Sequence, residues 1–124
     1  MLGNEAQAAT PAKLLDPVSA ANTAAATSGW VDVRQSEGDV MFTTQVGALT
    51  GSITWTIESA TDGSGTGAAG ITPNEGAFAA GAANQVQKRT VRGTATKGFV
   101  RVVGTIVTGP ALVAASLSFR PGTV

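Results

Sequence analysis

The sequence predicts an all-β fold: a single antiparallel β-sandwich or jelly-roll-like domain with an extended N-terminal arm. Three observations carry this. Apolar residues recur with a period of two in short runs, most clearly Ile53, Trp55 and Ile57 against Ser52, Thr54, Thr56 and Glu58. Small turn residues such as Thr50-Gly51 and Asp62-Gly63 separate these runs. No stretch makes a convincing helix. At 124 residues one domain is expected, divided into an arm over 1–28 and a β-sandwich over 29–124.

Residues 1–28 are rich in Ala, Thr and Asn, and Pro11 and Pro17 break any long helix. They read as an arm ordered only where something holds it, with plain disorder as the alternative. Trp30 to Arg34 forms a short strand and Gln35 to Gly38 a polar turn. Along Asp39 to Leu49, Val40, Phe42 and Val46 face one way and Thr43 and Gln45 the other. Ser52 to Ala60 is the clearest strand, with Trp55 at the centre of the core. Thr61 to Ala83 is too long for a routine connection, so Ile71 and Phe78 are expected to pin it to the body. Asn84 to Arg92 reads as an edge strand whose Lys88, Arg89 and Arg92 oppose stray pairing.

The stretch Lys97 to Arg120 holds eighteen uncharged residues between Arg101 and Arg120. A membrane helix needs about 20 apolar residues. Gly104, Gly109, Pro110 and the β-branched Val100, Val102, Val103, Ile106 and Val107 argue instead for strands. Thr108-Gly109-Pro110 signals a turn, and a hairpin of Gly98–Val107 with Ala111–Arg120 is expected. Val100, Val102 and Ile106 share one side of it, as do Val113, Ala115, Leu117 and Phe119. The opposite sides are only weakly polar, so cover on both is expected. A small-residue assembly surface is the alternative reading of this hairpin.

Composition narrows the chemistry. The chain has no His and no Cys, which removes the usual general base, ordinary zinc sites, disulfides and the Ser-His-Asp or Cys-His systems. No catalytic residue, metal site or cofactor is expected. Gly63-Ser64-Gly65-Thr66-Gly67 lacks the lysine and helix of a phosphate loop. Glu58 with Asp62, and Glu37 with Asp39, read as solvated acids and not as calcium ligands. Lys97-Phe99-Arg101 offers one aromatic where a nucleic-acid platform uses several. Net charge is zero, but seven of the eight acids precede Gly63 and six of the eight basic residues follow it. The two sets are expected to interleave in one body; separate acidic and basic flanks are the alternative. The N-terminus lacks the basic start and apolar stretch of a secretory signal.

Several short segments fall in a recognisable order: Gly29-Trp30-Val31-Asp32, Phe42 to Val46-Gly47, and Trp55-Thr56-Ile57-Glu58-Ser59 with Asp62-Gly63. Phe99-Val100-Arg101-Val102-Val103, Thr108-Gly109 and Ala114 to Pro121 complete it. The order resembles a family of small structural proteins of tailed bacteriophages, over most of residues 20–124. Ser64 to Ala83 departs from the pattern, being richer in Gly and Ala.

The resemblance implies a non-enzymatic virion protein, a decoration or cement protein on the phage head, made in the host cytoplasm. Its partner would be the major capsid protein, with self-association into a trimer or dimer and with neither nucleic acid nor membrane involved. The residues expected at partner contacts are Leu14, Leu15, Trp30, Arg34, Arg89 and Arg92. A tail or head–tail connector component is one alternative. A carbohydrate-binding module for host attachment, using Trp30 as its platform, is the other.

Overall fold

The computed structural model describes residues 10–20, 25–106 and 111–121, with side chains from residue 27 onward and as far as residue 120. Its strands are β1 (Thr10–Ala20), β2 (Ala25–Thr27), β3 (Val31–Asp32), β4 (Ser36–Leu49), β5 (Ile53–Ala60), β6 (Ala69–Ile71), β7 (Gln85–Arg92), β8 (Phe99–Ile106) and β9 (Ala111–Pro121). A 3-10 turn, Gly93–Ala95, links β7 to β8.

Two antiparallel sheets result. One has the order β1-β9-β4-β7; the other runs β2-β8-β5-β6, with β3 continuing the line of β2 along the same edge of β8. If β2 and β3 count as one interrupted strand, the pairings are nested: β1 with β9, β2/β3 with β8, β4 with β7, and β5 with β6. Additional pairs β4–β9 and β5–β8 close the two sheets. This is the strand order of an eight-stranded jelly-roll.

The alternation places the core. Val40, Phe42, Val46, Val91, Val113 and Leu117 from the first sheet meet Ile53, Trp55, Ile57, Val100, Val102 and Ile106 from the second. Trp55 and Phe42 are fully buried, and burial of such side chains contributes about 2–3 kcal/mol each relative to exposure. Trp55 lies where the sequence places it.

Two expectations are corrected. Gly98–Val107 and Ala111–Arg120 do not form a hairpin. Over the described residues, β8 pairs with β5 and β9 with β4, in opposite sheets; the expected turn at 108–110 lies outside them. Cover on both sides is also not found, since Leu112 is 48% exposed on the outer face and Ser116 is exposed on the same face of β9. Within the segment 1–28, read as an extended arm ordered where something holds it, residues 10–20 and 25–27 pair as edge strands with β9 and β8. Proline cannot donate to a ladder but is tolerated on an edge strand, and β1 accommodates Pro11 and Pro17 with register shifts between Lys13 and Leu15 and between Leu15 and Val18.

The excursion after β6 is a packed strap across the side of the sandwich between β5 and β7. Phe78 is buried in the core. Gln87 clamps the Ala79 main chain, accepting from its N–H at 2.9 Å and donating to its carbonyl at 3.0 Å. Glu75 accepts from the N–H and hydroxyl of Thr90. Gly81 bridges to Ile53, where a Cβ would fall 2.4 Å from Ile53 Cγ2, so this close approach requires glycine.

Candidate partner-binding surface

The outer face of the five-stranded sheet carries two arginines, each held between an acid and an aromatic ring. Phe99 and Arg101 are two apart on β8, hence on one face, opposite in parity to the buried Val100 and Val102. Arg101 faces Glu58 directly across β5. Its Nε and Nη2 both donate to Glu58 Oε1 at 2.7 Å, with each side chain 29% exposed. Its guanidinium lies 4.5 Å from the centroid of the Trp30 ring.

The second set repeats the pattern. Arg34 donates from Nε and Nη2 to the two carboxylate oxygens of Asp32, at 3.0 and 2.8 Å, and its guanidinium lies 5.0 Å from the Phe99 centroid. Hydrogen bonds from the Arg34 side chain, then from its N–H, hold the Asp32 carboxyl below the usual carboxylate range. The Arg34 guanidinium is correspondingly held above its ordinary value by the same carboxylate. Glycine at position 98, with φ +113°, lets the Arg34 stem pack closely, since a Cβ there would lie 2.9 Å from Arg34 Cγ.

The turn after β5 backs this face. Asp62 Oδ1 accepts from the N–H groups of Ser64 and Thr66, and hydrogen bonding by Thr66 foremost lowers its pKa. Gly65, at φ +89°, approaches the Trp30 indole so closely that a Cβ would fall 3.0 Å from Nε1. Trp30 is thus fixed between the turn and Arg101.

Of the expected contact residues, Trp30 and Arg34 come together here. Arg92 lies exposed at the end of β7, near Arg34 around a cleft at one end of the sandwich. Arg89 is elsewhere: it shares the inward parity of Gln87 and Val91, lies over the Phe78 ring at 5.4 Å, and donates to the Ala77 carbonyl. Its side chain, on β7, thus packs against the strap. Leu14 and Leu15 lie on β1, whose side chains are outside the described residues. Phe99 and Arg101 were not singled out as contacts, although their two-residue spacing opposite Val100 and Val102 is the signal that would have found them.

Glu58, from the acid-rich first half, and Arg101, from the base-rich second half, form one ion pair across β5 and β8. No helix among the described residues is long and apolar enough to cross a membrane. No protein-family profile matches the chain, and no curated protein matches it.

Proposed function

We propose that this chain is a non-enzymatic virion structural protein, a decoration or cement protein that binds and stabilises an assembled phage head. The observation that carries the reading is the pair of preordered arginine–aromatic sets on one sheet face, Glu58–Arg101–Trp30 and Asp32–Arg34–Phe99. Arg and aromatic residues dominate binding energy at protein interfaces. Holding them in place before contact reduces the ordering cost of association.

The architecture by itself does not choose a function, because jelly-rolls serve viral capsids, lectins and cupins alike. The side chains support the first of these. A cupin-type metal centre relies on histidine, which the chain lacks. A sugar platform needs an open aromatic face, whereas Arg101 lies over Trp30 and Arg34 over Phe99. Asp32, Asp62 and Glu75 are drawn below their usual pKa values by hydrogen bonds, the opposite of what a general acid requires.

On this reading the protein associates as a dimer or trimer, and several weak contacts to capsid subunits combine through effective concentration. Preference for assembled lattice over free subunits then stabilises the shell by mass action. The test is cosedimentation of purified protein with heads lacking it. Binding to heads but not to free capsid subunits, with reduced occupancy for Arg101→Ala, is expected. Equal binding to both, or binding to neither, refutes the reading; location on the tail by electron microscopy transfers the protein to that assembly.

A further inference from the structure

One end of the sandwich carries a cleft that shares Arg34 with the two arginine–aromatic sets of the sheet face. Its walls are the segment 33–39, leading into β4, and the segment 92–98, leading into β8; together they enclose about 460 Å³. That lies within the range of small-ligand sites. Arg34, Arg92 and Lys97 line it, Ser36 and Thr94 contribute hydroxyls, and Asp39 is the sole acid of the described lining.

The cleft is firmly built. A Cβ at position 93 would fall 2.7 Å from both the Gly38 carbonyl oxygen and Ser36 Oγ, so the two walls meet at a glycine contact that no larger residue fits. Arg34 is positioned by Asp32 through Nε and Nη2, leaving Nη1 without a partner among the described residues. Lys97 is drawn toward the turn after β5 by its bond to the Gly67 carbonyl. Arg92 sits opposite Asp39 in the β4–β7 register, yet no ion pair joins them among the described residues, and Asp39 instead accepts from Asn74 Nδ2.

Asp32 offsets Arg34, so the three cations outnumber Asp39 and Asp32 by one, and the concave site concentrates that excess positive potential. Arginine forks match the two oxygens of a carboxylate. No aromatic side chain is among the described residues of the lining, and these offer a nucleotide base nothing to stack on. We infer that this cleft binds the carboxylates of an acidic peptide segment. Assigning that segment to a capsid subunit rests on the decoration reading; the preference of the cleft for carboxylate does not.

Hexaglutamate is the probe, titrated into the full-length protein at low salt. Saturable binding is expected, weakened about tenfold by Arg92→Gln, the order expected for one charge-assisted contact. Asp39→Asn keeps a carbonyl acceptor for Asn74 and removes the opposing charge, so it should tighten binding several-fold. Should Arg92→Gln fail to fold, Lys97→Gln takes its place. No saturable binding to wild type, or indifference to both charge changes, overturns the inference. Inorganic phosphate binding as tightly as hexaglutamate overturns the peptide assignment. Heads that take up wild type but lose Arg92→Gln identify the capsid as the source of the acidic segment; equal uptake overturns that source. Heads that never take up wild type refute the decoration reading, while the hexaglutamate titration still decides the cleft.

Discussion

Gly104 lies directly across from Trp55 in the β5–β8 register, and a Cβ built on it would fall 2.8 Å from Trp55 Cζ3. The largest core side chain therefore occupies space that its neighbour yields by having no side chain. The Ile53 Cδ1 atom is equally close to that point, so neither wall can retreat freely in a close-packed interior.

Gly104→Val should destabilise the protein by about 1–3 kcal/mol through overpacking, with Gly104→Ala showing a smaller loss. Urea unfolding followed by tryptophan fluorescence measures both. An unchanged midpoint for the valine variant would show that the ring is not seated as described.

The strap depends on Gln87, whose two bonds to Ala79 imitate a strand pairing that the main chain there lacks. Gln87→Ala should reduce stability by about 1–3 kcal/mol, because a partly buried N–H and carbonyl lose their partners. Proteolysis within residues 76–83 should accelerate by more than global stability explains, reporting local opening. Cleavage that tracks only global unfolding would contradict this role.

Arg101→Ala uncovers one side of Trp30 and leaves Glu58 unpaired. The emission of Trp30 should shift to longer wavelength while that of buried Trp55 stays fixed, best read in a Trp55→Phe background. The stability change should be about 1 kcal/mol, given a partly exposed ion pair and one cation–π contact. A spectrum identical to that of the parent would place Trp30 elsewhere.

Acid should weaken the fold. Asp32, Asp62 and Glu75 have folded-state pKa values below their ordinary ones. Their contribution is thus complete above the ordinary carboxylate range and is lost as pH falls through the lowered folded values. The urea midpoint should be level above about pH 5 and decline below about pH 4. Asp62→Asn, which removes one of the three carboxylates, should shallow that decline. A midpoint rising toward acid pH would reverse the sign and refute the assignment.

Much of the fold was legible because a sheet with one dry face writes its period into the sequence. Ile53, Trp55 and Ile57, or Val40, Phe42 and Val46, announce strand, face and core together. Partners were not legible. Alternation in β8 and β9 states which side is dry but not which strand lies alongside, so nearness in sequence suggested a hairpin that the two sheets divide. Pro11 and Pro17 hid β1, since an edge strand tolerates what a central strand forbids. At the candidate surface, Trp30 and Arg34 stood out as an aromatic and a charge near a strand start. The placement of Arg89 was less legible: its charge suggests solvent, whereas its parity with Gln87 and Val91 directs it inward over Phe78.

The nested pairing of the strands also governs how the molecule comes into being. Of the described strands, β5 and β6 alone are consecutive partners; each remaining pair closes a longer span of chain, ending with β1 against β9. During synthesis β4 emerges early and must wait for β7 and β9 before either of its edges is covered. Folding should accordingly be slow for a chain of this size, as non-local pairings pay their loop-closure entropy before contacts form. The half-made polypeptide, with its open strand edges, is the form most exposed to aggregation.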